Sequence, residues 1–255
     1  MEYRVNNLRI WVEDSYQELS QKAAQIISSQ ISAKPHTVLG LATGSTPIGT
    51  YQELIQLYQA GLVDFAKVTT FNLDEYYQIS KSNDQSYDYY MKEQLFNHLN
   101  IPSQNIYIPN GEATDYAAEC LNYEAKMAAQ GGIDLQLLGI GNNGHIGFNE
   151  PGSTFTAATH YVALDDSTIA ANARFFTSMA EVPKHALTVG IRAIMTAKKV
   201  LLLASGPGKA EIIYQTIFGP ITPQTPSSIL QLHPEVIIIV DQEAGQLVVD
   251  NKTEL

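Results

Sequence analysis

Short apolar runs alternate with amphipathic, helix-like segments along the whole chain, and this alternation constrains the fold more than any other feature. The runs are continuously apolar, as in Thr37–Ala42, Ile133–Ile140 and Glu235–Asp241. Strands of this kind are buried on both faces, and parallel neighbours are joined through helices. The sequence therefore predicts an α/β fold, a three-layer, open, mainly parallel sheet of Rossmann-like type with helices on both faces.

The predicted elements follow one another in alternating order. The predicted strands are Leu8–Val12, Thr37–Ala42, Val68–Leu73, Ile133–Ile140, Lys199–Gly206 and Glu235–Asp241. The predicted helices are Glu13–Ile31, Pro47–Gln59, Ser86–His98, Asp115–Gln130 and about Lys209–Phe218. No linker or repeat divides residues 1–255, so we expect a single domain. The least regular stretch, Gly152–Pro183, has two interpretations, a lid or an ordinary surface excursion, and the sequence favours the excursion.

The charge balance limits the classes of partner that this chain can bind. The chain has 15 Lys and Arg against 26 Asp and Glu, for a net charge of −11. Non-specific nucleic-acid binding needs a basic surface, so no nucleic-acid partner is expected. An acidic protein that binds a small anion needs local donors, namely backbone amides, helix N-termini and a few placed cations.

Cysteine content and hydropathy bear on cellular location. Cys120 is the only cysteine, so no internal disulfide forms, which agrees with a reducing compartment. The N-terminal stretch carries scattered charges and lacks the apolar core of a signal peptide. No apolar run approaches the roughly 20 residues of a membrane span. We therefore expect a cytoplasmic protein with no membrane partner.

The segment GNNGHIGFNEP, residues 141–151, is the strongest candidate for a reactive site. It follows the apolar run Ile133–Ile140, and its surroundings hold the glycines Gly139, Gly141, Gly144 and Gly147. Ligands of open α/β sheets bind outside the carboxyl ends of the strands. His145 suits proton transfer near neutral pH, with Glu150 to orient it. The alternative is a structural His145 with Glu150 facing solvent. Because no paired His/Cys spacing is present, no metal site is expected.

A second candidate is ATGSTP, residues 42–47, between a predicted strand and a predicted helix. Amides of Gly44, Ser45 and Thr46 at a helix N-terminus would form an anion cradle, most simply for a phosphate. The segment is neither a P-loop nor a dinucleotide fingerprint, so no nucleotide is implied. A plain helix N-cap explains the same residues equally well.

FNLDEYY, residues 71–77, places two acids after a strand. Asp74 or Glu75 is a candidate general base at the carboxyl end of the sheet. Two neighbouring acids cannot both point into one pocket, so at most one has that role. The alternative is that Asp74 merely caps the next turn.

Two basic residues are candidate partners of an anion. Lys209, in SGPGKA, lies in the first turn of a predicted helix, where a cation opposes the helix dipole and an anionic ligand would explain it. Arg174, in NARFF, has the guanidinium fork that binds phosphate bidentately. Taken alone, Arg174 also fits an ordinary surface position.

In this order and spacing, ATGSTP, FNLDEY, GNNGHIGFNEP, NARFF and SGPGK resemble the segments of the glucosamine-6-phosphate deaminase family. The resemblance extends from about Leu8 to Asp250, and GHIGFNEP and FNLDEY are its specific parts. It implies interconversion of glucosamine 6-phosphate and water with fructose 6-phosphate and ammonia, without an organic cofactor.

The resemblance also assigns roles to residues of this chain. Asp74 matches the base that moves a proton between C2 and C1, and His145 the residue that helps to open the pyranose ring, with Glu150 as its partner. The phosphate site matches Gly44, Ser45, Thr46, Arg174 and Lys209.

Two departures from the family pattern carry expectations of their own. Many members have Asp where this chain has Asn143, which carries no charge but has an amide oxygen that can accept a hydrogen bond from the His145 ring. Hexameric members use basic residues after NEP to bind the activator N-acetylglucosamine 6-phosphate, and no Arg or Lys lies between Glu150 and Arg174 here. We therefore expect a non-allosteric enzyme that can act as a monomer.

Three rival functions remain open at this stage. A 6-phosphogluconolactonase has a similar fold and loop but no use for a base at C2. A sugar-phosphate sensor would carry a DNA-binding module, and no basic helix-turn-helix precedes the strand at Leu8. A catalytically inactive binding protein would not need Asp74, His145 and Glu150.

Overall fold

The computed structural model describes residues 1–173, 176 and 178–251. Its strands are β1 (Glu2–Val5), β2 (Leu8–Glu13), β3 (Val38–Leu41), β4 (Thr69–Asn72), β5 (Asp74–Tyr76), β6 (Ile106–Tyr107), β7 (Leu135–Leu138), β8 (His160–Ala163), β9 (His185–Thr188), β10 (Val200–Ala204) and β11 (Val236–Asp241). Its α-helices are α1 (Tyr16–Ala33), α2 (Ile48–Gln59), α3 (Tyr87–Gln94), α4 (Tyr116–Ala129), α5 (Asp166–Asn172), α6 (Ile191–Met195), α7 (Ala210–Phe218) and α8 (Gln246–Asp250).

The large sheet is parallel apart from one edge. In the described part of the chain its eight strands have the order β1-β2-β11-β10-β7-β3-β4-β6. Only the β1–β2 pair is antiparallel among them. All parallel strands end at one edge of the sheet, so the loops that follow them share one surface.

Helices cover both faces of this sheet. Successive residues of a strand face opposite sides, and Val38 packs with α4 and α7 while Leu39 packs with α1 and α2. Helix α1 begins after Ser15, whose hydroxyl accepts from the Glu18 amide, and it buries a stripe that includes Leu19 and Ala23. The predicted three-layer, mainly parallel α/β sheet is thus confirmed.

The structure differs from the sequence prediction in several elements. A second sheet of three antiparallel strands, β5-β9-β8, was not predicted, and neither were β1 and β6. The predicted helix Ser86–His98 is interrupted at Leu95, after which Phe96–His98 form a 3-10 turn. The stretch 152–183 includes β8 and α5. No helix within the described residues is both long and apolar enough to cross a bilayer.

Candidate active site

A pocket of about 450 Å³ opens at the carboxyl edge of the large sheet. Its walls come from loops that follow separate strands: residues 42–46 after β3, Leu73 and Asp74 after β4, residues 139–148 after β7, and Ser205 and Lys209 after β10. Ser167 and Thr168 of α5 and Tyr87 of α3 also line the pocket. The sheet therefore brings together candidate residues that are separated by up to 165 positions in sequence, from Gly44 to Lys209.

His145 and Glu150 form a hydrogen-bonded pair in this pocket. Nδ1 of His145 lies 3.2 Å from Oε2 of Glu150, whose side chain is only 10% exposed. The same oxygen accepts from the Asn143 amide at 2.8 Å, and Oε1 accepts from the Thr168 hydroxyl at 2.7 Å. Burial alone would raise the pKa of Glu150, but the bonds from His145, Thr168 and Asn143 hold it below its ordinary value. The pair is therefore a histidine beside an ionised carboxylate.

The glycine-rich loop makes room for the histidine ring. A Cβ atom at residue 141 would lie 2.4 Å from Nδ1 of His145, so only glycine allows the ring to approach the backbone this closely. The Asn143 side chain braces the same turn, because its oxygen accepts from the His145 backbone amide at 3.2 Å. The sequence allowed that oxygen to accept from the ring, whereas Nδ1 of the ring faces Glu150.

Asp74 and Glu75 point in different directions. Asp74 lines the pocket, is 6% exposed and begins β5, where it pairs with Thr188 of β9. Glu75 accepts from the backbone amides of Tyr87 and Asp88 at 2.9 Å each and so caps α3. The structure thus selects Asp74 as the pocket carboxylate of the two.

The environment of Asp74 favours its protonated form. Burial, together with the nearby negative charge of Glu75, raises the pKa of Asp74 to about 8. No side chain or amide among the described residues donates a hydrogen bond to its carboxylate. A Cβ added at Gly147 would lie 3.5 Å from Oδ2 of Asp74, so this carboxylate abuts the loop that carries His145. Such an unpaired carboxylate is suited to take up and release a proton.

The segment of Gly44, Ser45 and Thr46 lines the pocket ahead of α2. Pro47 occupies the N-cap position of that helix, and no side chain caps it. The plain N-cap interpretation therefore does not describe Ser45 or Thr46, whose amides and hydroxyls lie at the positive end of the helix. An anion is the ligand class that such a segment fits.

Lys209 lines the pocket beside the start of the glycine-rich loop. Its ammonium donates to the Ile140 carbonyl at 2.7 Å and to the Asn142 side chain at 2.6 Å. The loop before it is held by Asp241, which accepts from the Ser205 hydroxyl at 2.5 Å and the Gly206 amide at 2.9 Å. Arg174, the other predicted cation, lies outside the described residues.

Sequence reasoning missed several residues of this site. Thr168 and Tyr87 line the pocket, and Asp241 holds one of its loops. Asp241 is the last residue of β11, a position where the sequence already indicates a carboxylate at the sheet end. Thr168 lies in a segment without a strand-end signal, so nothing local pointed to it. Within the described residues, no group of three or more His, Cys, Asp or Glu side chains is arranged to hold a metal ion.

Comparison with known proteins gives a consistent set of relatives. The family profile described as glucosamine-6-phosphate isomerases/6-phosphogluconolactonase matches residues 11–238. The chain is 56% identical to a glucosamine-6-phosphate deaminase of Clostridioides difficile (strain 630) over 238 residues, which cover 93% of this chain and 96% of the relative. It is 53% identical to the deaminase of Thermoanaerobacter pseudethanolicus (strain ATCC 33223 / 39E) over 243 residues, covering 95% of this chain and 96% of that protein.

Solved structures extend the comparison. A monomeric glucosamine-6-phosphate deaminase matches with a TM-score of 0.91 and 47% identity, covering 93% of this chain and 99% of that chain. The 6-phosphogluconolactonase of Leishmania guyanensis matches with a TM-score of 0.74 and 22% identity, covering 93% of this chain and 97% of that chain. At that identity the second likeness shows a shared fold alone.

Proposed function

Because the chain belongs to the family of glucosamine-6-phosphate isomerases and 6-phosphogluconolactonases, we propose that its pocket converts glucosamine 6-phosphate and water to fructose 6-phosphate and ammonia, a step of amino-sugar catabolism. One observation carries this proposal. The pocket combines an isolated buried carboxylate, Asp74, with the hydrogen-bonded pair of His145 and Glu150. An aldose–ketose conversion needs both, a base for the C2 proton and a separate group for ring opening.

Ring opening is the role of His145. The C2 proton of an aldose becomes acidic only when the ring opens to the free aldehyde. His145 moves a proton between the anomeric hydroxyl and the ring oxygen, and the ionised Glu150 orients its imidazole and stabilises the positive charge that forms. Asn143 serves this pair by bonding both Glu150 and the His145 backbone.

Isomerisation and deamination follow at Asp74. Its ionised carboxylate takes the proton from C2, while the substrate's ammonium group passes a proton to the C1 oxygen, which gives an enolamine. Asp74 then returns its proton to C1, which leaves an iminium group at C2. Addition of water to that carbon and departure of ammonia give the ketose. General acid–base steps of this kind contribute about 10²–10⁴-fold each. The steps use side-chain acids and bases and require no organic cofactor.

The phosphate binds away from the reacting carbons and positions them. Gly44, Ser45 and Thr46 supply amides and hydroxyls, and Lys209 supplies a cation to the same pocket. The resemblance adds Arg174 to this set. Binding energy from a remote group of this kind holds the substrate over Asp74 and His145.

Product analysis tests the proposal. Purified protein given glucosamine 6-phosphate is expected to release ammonia and fructose 6-phosphate in equal amounts. Neither product, together with acid release from 6-phosphogluconolactone, would replace the deaminase with the lactonase. Neither activity, with glucosamine 6-phosphate still protecting the protein against heat, would favour a sensor or an inactive binding protein.

Regulation and assembly form a finer part of the proposal. We propose a cytoplasmic monomer that obeys hyperbolic kinetics, since no Lys or Arg lies between Glu150 and Arg174 to bind a phosphorylated activator. Light scattering is expected to give a mass near 28.0 kDa. An increase in activity on adding N-acetylglucosamine 6-phosphate, or a hexamer in solution, would contradict it.

A further inference from the structure

Three tyrosine hydroxyls bind the backbone carbonyls of the 42–46 segment from outside the pocket. Tyr51 donates to the Ala42 carbonyl at 2.5 Å, and Tyr90 donates to the Gly44 carbonyl at 2.6 Å. The Tyr16 hydroxyl is shared between the carbonyls of Ser45 and Thr46, at 3.2 and 3.0 Å. Four of the five carbonyls of this segment are therefore engaged by side chains that do not line the pocket.

The three hydroxyls belong to three helices that meet at this segment. Tyr16 begins α1, Tyr51 lies in α2, and Tyr90 lies in α3. The Tyr16 oxygen also accepts from the Gly49 amide at 2.8 Å, which fixes it against the first turn of α2. Burial raises the pKa of Tyr51 and of Tyr90, so both stay protonated and able to donate at neutral pH.

Electrostatics explains what such contacts do at an anion site. A peptide unit that presents its carbonyl to a phosphate repels it, whereas one that presents its amide attracts it. Gly44 adopts a left-handed φ of +100°, so the backbone dihedral angles here are less restricted than those of a regular turn. A hydroxyl bound to a carbonyl from outside removes the orientations in which that carbonyl faces the pocket.

We propose that Tyr16, Tyr51 and Tyr90 form a hydroxyl collar that preorganises the 42–46 segment for a phosphomonoester by holding its carbonyls away from the pocket. The inference rests on the proposed function, because it assigns that segment to the substrate phosphate. The three tyrosines are positioning residues, since they act through the backbone and touch no reacting atom.

Tyr90→Phe is the decisive variant, and Tyr89→Phe is its matched control. Tyr89 lies next to Tyr90 on α3, is 38% exposed, and has no side-chain hydrogen bond among the described residues. Tyr90→Phe is expected to weaken binding of inorganic phosphate, measured by calorimetry, and to raise KM for the sugar phosphate, each about five- to tenfold. Its kcat is expected to stay unchanged, because the lost interaction is common to bound substrate and transition state. Tyr89→Phe is expected to match the parent in all three quantities.

Tyr16→Phe provides a second variant in case Tyr90→Phe unfolds. Its side chain is partly exposed, and its loss is expected to weaken phosphate binding in the same direction. Unchanged phosphate affinity in both folded variants would overturn the collar, and so would a fall in kcat at constant KM. A parent protein that binds phosphate more tightly than Tyr90→Phe but releases no ammonia would support the collar while refuting the deaminase.

Discussion

Asp74 and Glu75 are neighbours in sequence, but one is suited to catalysis and the other stabilises the structure. Their side chains alternate across β5, so that Asp74 meets the pocket and Glu75 meets the amides at the start of α3. The three backbone donors to Glu75 oppose the effect of burial on its pKa, which is about 7, whereas none of the described residues donates to Asp74. Burial of an unpaired acid in this position lowers the stability of the folded protein once the acid ionises.

Asp74→Asn separates activity from stability. The variant is expected to lose about 10²–10⁴-fold in kcat/KM. Exchange of the C2 hydrogen with solvent is expected to be lost with it. The native pKa of Asp74 is about 8, above its ordinary value of 3.8, so wild-type stability declines as pH rises from about 4 to about 8. Asn does not titrate, so the stability of the variant relative to wild type should improve over that range. Denaturant unfolding at pH 5 and pH 8 measures this.

Controls for Asp74→Asn follow from the same pKa. For wild type, kcat/KM is expected to rise with pH up to about 8, as Asp74 ionises. Asp84→Asn, at an exposed position, should leave both the rate and the pH dependence of stability unchanged. C2 exchange at the wild-type rate in Asp74→Asn would show that another group is the base.

Asn143→Asp tests the uncharged neighbour of Glu150. The change replaces a donor to Glu150 by a second carboxylate, and both effects raise the pKa of Glu150. We expect turnover to persist and the lower acidic limb of the kcat/KM profile, which protonation of Glu150 adds below the limb set by Asp74, to move to higher pH. Asn142→Asp adds the same charge beside Lys209 instead, and it should alter phosphate affinity rather than that limb. A limb that stays in place in Asn143→Asp would contradict this electrostatic role.

At the scale of elements, α5 connects the 152–183 segment to the reacting pair. Its N-cap Asp165 accepts from the Ser167 amide at 2.8 Å, which starts the helix where Thr168 reaches Glu150. Through Ser167 and Thr168, helix α5 is therefore part of the pocket wall. The hydrogen bond from the Thr168 hydroxyl links the position of this helix to Glu150.

Thr168→Val removes that contact while preserving side-chain shape. Loss of a donor to Glu150 is expected to raise the pKa of Glu150 and to lower kcat about tenfold. Thr168→Ser, which restores the hydroxyl, should recover both the rate and the pH profile. Ser167→Ala, one residue away, serves as the control. If Thr168→Val kept the wild-type pH profile, the role of Thr168 would be packing alone.

The inner strands of the large sheet were predictable, whereas its edge strands β1 and β6 and the strands of the small sheet were not. Strands such as β10 and β11 are continuously apolar and bounded by helices, so their type and position follow from pattern alone. In contrast, β5 has three residues and β8 has four, too few for a period to show. The pairing of β5 with β9 depends on contacts between segments about 110 residues apart, such as Asp74 with Thr188.

The same distinction holds within the site. His145, Glu150, Asp74 and Lys209 were found because they follow strands directly, and parallel topology brings strand ends together. The tyrosines of the collar lie inside helices, and an aromatic residue at a helical position is more often part of the core. Their function depends on where a distant loop places its carbonyls, which local sequence does not encode.

At the scale of the whole molecule, the two edges of the large sheet have different roles. The carboxyl edge holds the pocket, and the amino edge holds a clamp around Asp134, which immediately precedes β7. Asp134 accepts from Lys34 at the end of α1 and from Lys198 ahead of β10, at 2.6 and 2.8 Å. It also accepts from the Val38 amide of β3 at 2.8 Å. One carboxylate thus joins four elements far from the chemistry.

Asp134→Asn is expected to lower stability without changing catalysis. Burial alone would raise the pKa of Asp134, but the bonds from Lys198 and Lys34 hold it at about 2. Because this native pKa is below the ordinary value of 3.8, the stabilisation is present above about pH 4 and is lost as pH falls toward 2. The variant should be less stable at pH 7 by about 1–3 kcal/mol. That difference should shrink between pH 4 and pH 2.

Lys198→Met provides a graded control for the clamp, because Lys34 and the Val38 amide still bind Asp134 in that variant. Its loss of stability should be smaller than that of Asp134→Asn and should vary with pH over the same window. Both variants should keep the wild-type KM and kcat at temperatures where they are folded, since the clamp lies at the edge opposite the pocket. A change in KM in either variant would mean that the two edges of the sheet are coupled through β3, β7 and β10. The view that one edge stabilises the fold while the other carries the function would then be wrong.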